Sequence, residues 1–174
     1  GALPLILDRW ISSVQQEVMD SSGLGVTDPG LAPLVEKRIS AVIGALNEMV
    51  HGFDFARLLT LYYKAHCAGD DETKAKVLKW FRGEYATKTE ARQELGVNIV
   101  ITDDDWYEYL KLFACFLKQA GYAGMLILID ELVNIYKIPN AITRQYNYEK
   151  ILTMYNDAMQ GKAQYLGFIL CGTP

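Results

Sequence analysis

Cysteine, histidine and long apolar runs are all scarce in this sequence of 174 residues. The three cysteines, Cys67, Cys115 and Cys171, are odd in number and widely spaced, which fits neither a disulfide framework nor a zinc site. The two histidines have no cysteine or acidic partner at ligand spacing. The apolar runs are too short to cross a bilayer, and no basic-then-apolar signal opens the sequence. We therefore expect a cytoplasmic protein without a membrane segment.

Positive charge is not in excess either. Seventeen Lys and Arg face 21 Asp and Glu, so the net charge of −4 creates no overall field that attracts nucleic acid. Six basic residues do concentrate in one segment, Lys74, Lys76, Lys79, Arg82, Lys88 and Arg92. They could contact DNA, but at helical spacing a solvated face is the favoured interpretation. The apolar content of 51% is enough to fill a core and excludes a disordered chain.

Residues 1–97 are expected to form a lobe of about five helices. The first apolar stripe stops at Gly23, and the second helix is expected to start with Asp28-Pro29 as cap and first helical residue and to run to His51-Gly52. Three more segments follow, a helix apolar on several sides (54–68), one starting at 69–71 and ending at Gly83, and a short one (89–95) closed by Gly96.

Residues 98–174 change in character. An acidic run (102–105) precedes a helical pattern, and we interpret it as a helix cap in preference to a metal site. Five consecutive apolar residues, Met125 to Ile129, predict a parallel strand buried on both faces. A helical stretch (about 141–160) and a second strand (165–170) complete a parallel crossover unit. The predicted fold is mainly α with a small parallel sheet.

Two acids follow directly after the first strand, where open parallel sheets place their ligands. An apolar strand ending in Asp130-Glu131 is typical of the Walker B motif of P-loop ATPases. In that interpretation Asp130 helps to hold Mg²⁺, usually through water, and Glu131 orients or deprotonates the attacking water. The alternative is that both acids cap the next helix. The second strand leads to Thr173, which stands where such ATPases carry a residue that senses the γ-phosphate.

Several stretches together resemble a known family. Residues 121–133, 144–149, 156–161 and 166–174, and also 78–84, are similar to the ATP-binding proteins of BREX-type bacterial phage defence, P-loop proteins of the broad AAA+/STAND kind. The resemblance is strongest over about 75 C-terminal residues. It implies binding of ATP and Mg²⁺, is compatible with hydrolysis, and implies a place in a cytoplasmic defence complex.

The sequence departs from that family in one respect. It contains no G-x-x-x-x-G-K-[ST], and its one Gly-Lys pair, Gly161-Lys162, is followed by alanine. Such a loop supplies the backbone N–H groups and the lysine that hold the phosphates. We therefore expect the chain to be a fragment of a longer ATPase. On its own it should be inactive and bind ATP weakly or not at all.

Two further hypotheses concern Arg144 and the overall role. Arg144 follows the first strand and could act as an arginine finger, although a surface arginine paired with a carboxylate is favoured. We predict a helical lobe (1–97) joined to a partial P-loop core (98–174). The alternative function is a non-enzymatic helical module for protein interaction, because two apolar strands leave unpaired edges that favour protein partners or self-association.

Overall fold

The structure is a computed structural model that describes residues 1–172, and it is mostly helical. Six helices come first, α1 (Ala2–Ser22), α2 (Leu31–Gly44), α3 (Gly52–Ala68), α4 (Asp71–Phe81), α5 (Lys88–Leu95) and α6 (Trp106–Gln119). The remaining elements are β1 (Met125–Ile129), α7 (Val133–Tyr136), α8 (Ala141–Met159) and β2 (Leu166–Leu170). The predicted fold class, mainly α with a small parallel sheet, is confirmed.

Glycines end several of the helices where the sequence predicts it. Gly23, Gly69 and Gly96 follow α1, α3 and α5 with φ angles of 71°, 67° and 69°. In this left-handed conformation a residue without Cβ lets its own N–H bond back to the last helical carbonyls. At the start of α4, the Asp70 side chain accepts a hydrogen bond from the backbone N–H of Thr73 at 2.9 Å. These local signals explain why those boundaries are predictable.

Helix α2 is shorter than expected at both ends. Its first residue is Leu31, because the Asp28 carboxylate accepts the N–H of Gly30 at 2.8 Å and forms a turn ahead of the helix. The helix ends at Gly44, although Leu46 stays buried and continues the apolar pattern from within a turn. The chain then folds back so tightly that a Cβ on Gly52 would lie 1.9 Å from the carbonyl oxygen of Leu46. The predicted extension of this helix to His51 is therefore wrong.

The main apolar core joins α1 to α6. Large side chains such as Trp10, Phe55 and Trp80 are almost fully buried in it, and Trp10 packs edge-on against Phe116 of α6 at 4.9 Å. Helix α6 also supplies Ala114 to a second, smaller cluster beneath the sheet. Because α6 contributes side chains to both clusters, it connects the helical region to the strands. The domain boundary after residue 97 stays a prediction.

Strands β1 and β2 form a two-stranded parallel sheet in which Met125 lies opposite Leu166 and Ile129 opposite Leu170. The inner face includes Ile127 and Phe168 and packs over α6 and α8. Among the described residues, none of the helices has the length and apolar character needed to span a membrane.

The outer face of this sheet is uncovered within residues 1–172. Leu126, Leu128 and Ile169 expose 58%, 67% and 44% of their surfaces. The prediction that the first strand is buried on both faces is therefore wrong for the described part of the chain. An apolar run shows that both faces of a strand could be buried. It does not show where the covering helices lie, and here α6 and α8 both pack on the same face of the sheet.

Candidate functional site

The carboxyl end of the sheet holds the two predicted acids beside the end of β2. The backbone N–H of Cys171 donates to the carbonyl of Ile129 at 2.8 Å, and the N–H of Leu132 donates to the carbonyl of Cys171 at 3.0 Å. The parallel ladder therefore continues one step past both strands. These bonds enclose Asp130 and Glu131, so the backbone of both acids is fixed by the sheet.

The carboxylate of Asp130 is exposed, and one of its two oxygens accepts a hydrogen bond. Its Oδ1 accepts the backbone N–H of Glu131 at 2.7 Å, and Oδ2 has no hydrogen-bond partner among the described residues. Carboxylate oxygens suit Mg²⁺, which commonly takes one or two of them and completes its shell with water and phosphate oxygens. Residues 1–172 contain no group of three His, Cys, Asp or Glu side chains that could hold a metal. Within that part of the chain, Asp130 therefore offers one free carboxylate oxygen, of the kind that Mg²⁺ accepts as a ligand.

Glu131 adopts a left-handed backbone conformation, with φ 54°. Its side chain is exposed, and Oε2 accepts a hydrogen bond from Nδ2 of Asn134 at 2.7 Å. Non-glycine residues in this conformation cost free energy and are concentrated at functional sites.

The alternative role of the two acids as helix caps is not what the structure shows. Helix α7 has Leu132 as its N-cap and no side-chain cap bond. Helix α8 is capped by Asn140, whose Oδ1 accepts the N–H groups of Ile142 and Thr143 at 2.9 and 3.0 Å. Neither carboxylate therefore caps the backbone N–H groups of α7 or α8.

Arg144 lies in the first turns of α8 and is half-buried. Its Nη1 donates to the carbonyl of Ile138 at 2.7 Å, which ties the guanidinium to the loop before α8. Among the described residues it forms no ion pair, so the favoured pairing with a carboxylate is not seen. No bond joins it to Asp130 or Glu131. The role of an arginine finger stays a prediction, and Thr173, the predicted sensor, lies outside the described residues.

Two residues bonded in series to Glu131 were missed by the sequence analysis. Asn134 bonds Glu131, and Nζ of Lys137 donates to Oδ1 of Asn134 at 3.0 Å. The three residues are spaced three apart, which places neighbours on one side of a helical turn. That spacing after Glu131 is the signal that could have identified them.

The acidic run before α6 (102–105) forms a hydrogen-bonded turn ahead of the helix. The helix does begin at Trp106, as expected, but Asp105 makes no side-chain cap bond to it. Its Oδ1 instead accepts the N–H and the hydroxyl of Thr102 at 2.7 and 3.0 Å. The predicted capping geometry is therefore wrong, although the helix boundary is right.

The basic segment is largely neutralised by ion pairs. Four of its six cations pair with carboxylates, Lys74 with Asp8, Lys76 with Glu72, Lys79 with Glu90 and Arg82 with Glu84. A DNA-binding surface needs cations free to contact phosphates. The geometry thus favours the solvated face over DNA contact.

An apolar cavity of about 380 Å³ lies at the opposite end of β1. Met125 and three phenylalanines, Phe55, Phe81 and Phe113, contribute to its wall. The carboxylates follow the other end of the strand and are exposed, so they belong to an open surface and not to this cavity.

Comparison with protein families identifies a match that covers the whole sequence. A family model described as BREX system ATP-binding protein BrxC/D matches residues 1–174. No match was found among the curated proteins or the solved structures.

Proposed function

Since this chain belongs to the family of BREX system ATP-binding proteins, BrxC/D, we propose that it carries the acidic half of an ATP-hydrolysing site used in phage defence in the cytoplasm. The observation that carries the proposal is the pair Asp130-Glu131, held by ladder bonds at the carboxyl end of a parallel strand. Ligands of open parallel sheets bind at that edge.

In this proposal the two acids have different tasks. Asp130 holds Mg²⁺ through Oδ2, directly or through a bound water, while Oδ1 stays bonded to the backbone of Glu131. Glu131 accepts the proton of the attacking water at Oε1, because Oε2 is bonded to Asn134. The water oxygen bonds to the γ-phosphorus as the bond from that phosphorus to the β–γ bridging oxygen breaks, and ADP leaves. Mg²⁺, when bound, neutralises charge that develops on the phosphates.

The phosphate-binding loop belongs, in this proposal, to residues outside these 174. The 174-residue sequence has no G-x-x-x-x-G-K-[ST] to supply the backbone N–H groups and the lysine that hold the phosphates. Thr173 as γ-phosphate sensor and Arg144 as arginine finger are part of the same proposal. The division into a helical lobe (1–97) and a partial P-loop core of the AAA+ kind (98–174) follows from it.

The deciding experiment is Glu131→Gln in the full-length protein. We expect ATP turnover to fall by at least about 100-fold while ATP binding is kept, because the amide cannot accept the proton but fills the same space. Glu149→Gln on α8 is the matched control, since Glu149 is also exposed and also bonds a neighbouring side-chain amide, that of Gln145. Unchanged turnover in the Glu131 variant would contradict the proposal.

A non-enzymatic interaction module is the second candidate, favoured by the uncovered face with Leu126 and Leu128. A titration of the full-length protein with ATP, with and without Mg²⁺, separates the two. Saturable binding that depends on Mg²⁺ supports the ATPase, and absence of binding supports the module.

A further inference from the structure

The backbone around Glu131 is fixed on both sides. Its N–H donates to Asp130 Oδ1 at 2.7 Å, and its carbonyl accepts the N–H of Asn134 at 2.8 Å. These bonds close the turn that leads from the strand into α7. The direction in which the Glu131 side chain leaves the backbone is therefore set by the fold.

The carboxylate itself is held by a second contact. Nδ2 of Asn134 donates to Oε2 of Glu131 at 2.7 Å, and Oδ1 of Asn134 accepts from Lys137 Nζ at 3.0 Å. An ammonium group can only donate, so it must face the carbonyl oxygen of the amide. Lys137 thereby turns the NH₂ group toward Glu131, which fixes which end of the amide meets the carboxylate.

This arrangement distinguishes the two oxygens of Glu131. An amide NH₂ can only donate, so Oε2 serves as an acceptor and Oε1 is left as the oxygen open to a proton. Glu131, Asn134 and Lys137 are all exposed, and exposed polar contacts add little to the free energy of unfolding. Loss of the contact between Asn134 and Glu131 should therefore lower the rate of ATP hydrolysis far more than the free energy of unfolding.

From these contacts we propose that Asn134 is the positioning residue for Glu131 and that Lys137 sets the orientation of the Asn134 amide. This inference rests on the proposed function, in which Glu131 accepts the proton of water. Asn134 holds the carboxylate in one rotamer with Oε1 free.

A first test needs no nucleotide. In the chain itself, the side-chain amide resonances of Asn134 are followed by ¹⁵N NMR after Glu131→Gln and, as control, after Glu149→Gln. We expect the Asn134 amide to shift in the first variant only, because Glu131 bonds it whereas Glu149 bonds the amide of Gln145. An unshifted Asn134 amide in the Glu131 variant would overturn the inference.

The second test measures turnover in the full-length protein. Asn134→Ala should lower kcat roughly tenfold with little change in KM for ATP, since only the orientation of the base is lost. Asn134→Asp, of nearly the same shape, should lower kcat further, because a carboxylate cannot donate to Glu131. Lys137→Met should lower kcat, because methionine cannot donate to Oδ1 of Asn134. Lys137→Arg should keep kcat near the wild-type value, because arginine can. Asn156→Ala on α8 is the control, with no expected effect.

The outcomes separate this inference from the proposed function. If Glu131→Gln abolishes turnover while Asn134→Ala leaves kcat unchanged, the positioning role is wrong and the ATPase proposal stands. If Glu131→Gln leaves turnover unchanged, the ATPase proposal falls, and with it the positioning role in catalysis. A loss of kcat in Asn134→Ala with an unchanged unfolding midpoint supports the inference.

Discussion

Asp8 illustrates at the residue scale how a single side chain connects helices in this protein. Its Oδ1 accepts the hydroxyl of Tyr62 at 2.7 Å and lies 3.2 Å from Nδ1 of His66, both on α3. The Lys74 ammonium of α4 is 3.1 Å from the same oxygen. Burial opposes ionisation of Asp8, but the hydrogen bonds from Tyr62 and Lys74 outweigh it and hold its pKa below the ordinary 3.8.

This network predicts how stability depends on pH. A carboxyl whose pKa is lowered by folding stabilises the fold above 3.8, and that contribution is lost as the pH falls through the folded pKa. Because 39% of the Asp8 side chain is exposed, screening reduces the expected effect to about 1 kcal/mol. Asp8→Asn should lower the free energy of unfolding by that amount at pH 7, and by less at pH values below 3.8. Urea unfolding at both pH values measures it.

Asp20→Asn is the control for this pH effect, because Asp20 also lies on α1 but its carboxylate, among residues 1–172, bonds only to Gln16 one turn away. A difference between wild type and Asp8→Asn that stays constant down to pH 3 would contradict the assignment.

Two buried tryptophans allow one hydrogen bond to be measured. Trp80 and Trp10 are both 1% exposed, but Nε1 of Trp80 donates to the carbonyl of Ile99 at 2.8 Å. Nε1 of Trp10 has no partner among the described residues. Both Trp→Phe variants lose volume, and only Trp80→Phe leaves a carbonyl unpaired. We expect Trp80→Phe to cost about 1 kcal/mol more than Trp10→Phe in chemical denaturation, and equal costs would argue against the bond.

At the scale of elements, the entry into β1 depends on a close backbone contact. A Cβ on Gly124 would lie 2.5 Å from the carbonyl oxygen of Tyr165, the same oxygen that accepts the N–H of Met125 at 2.7 Å. Gly124→Ala should therefore push the two strands apart and lower the free energy of unfolding by about 2 kcal/mol. Gly25→Ala is the control, because a Cβ on Gly25 would have no atom of the described residues within 4 Å apart from its own chain neighbours. Similar unfolding midpoints for the two variants would contradict this prediction.

Elements differ in how far the sequence predicts them. Gly23 and Gly96 end their helices because a left-handed glycine is a local requirement that needs no distant partner. The end of α2 depends on the close approach of Gly52 to Leu46, which the apolar pattern does not reveal. Helix α7 has four residues, too few for a periodic signal.

The same distinction applies to the candidate site. Asp130 and Glu131 were identified because their position after an apolar strand is visible along the chain. Their chemical roles stay predictions. The contact with Asn134 was not predicted, because it depends on the turn that a left-handed Glu131 creates.

At the scale of the whole molecule, the sheet presents an apolar surface on its outer side. Leu128 is 67% exposed, whereas the neighbouring Ile127 packs on the inner face. Leu128→Thr should leave the free energy of unfolding within about 0.5 kcal/mol of wild type and reduce self-association of the chain. Ile127→Thr should lower the free energy of unfolding by about 1–2 kcal/mol without that reduction. Light scattering over a concentration series tests the association, and an unchanged profile for Leu128→Thr would contradict it.

The left-handed backbone of Glu131 has a consequence for how this protein can be engineered or can evolve. At a φ of 54° the backbone conformation of position 131 costs glycine about 1 kcal/mol less free energy than it costs glutamate. A selection for thermostability alone would therefore remove the carboxylate on which the proposed hydrolysis depends. Stability and activity compete at this position, so a library screened only for heat resistance is expected to accumulate glycine there and to yield robust, inactive proteins.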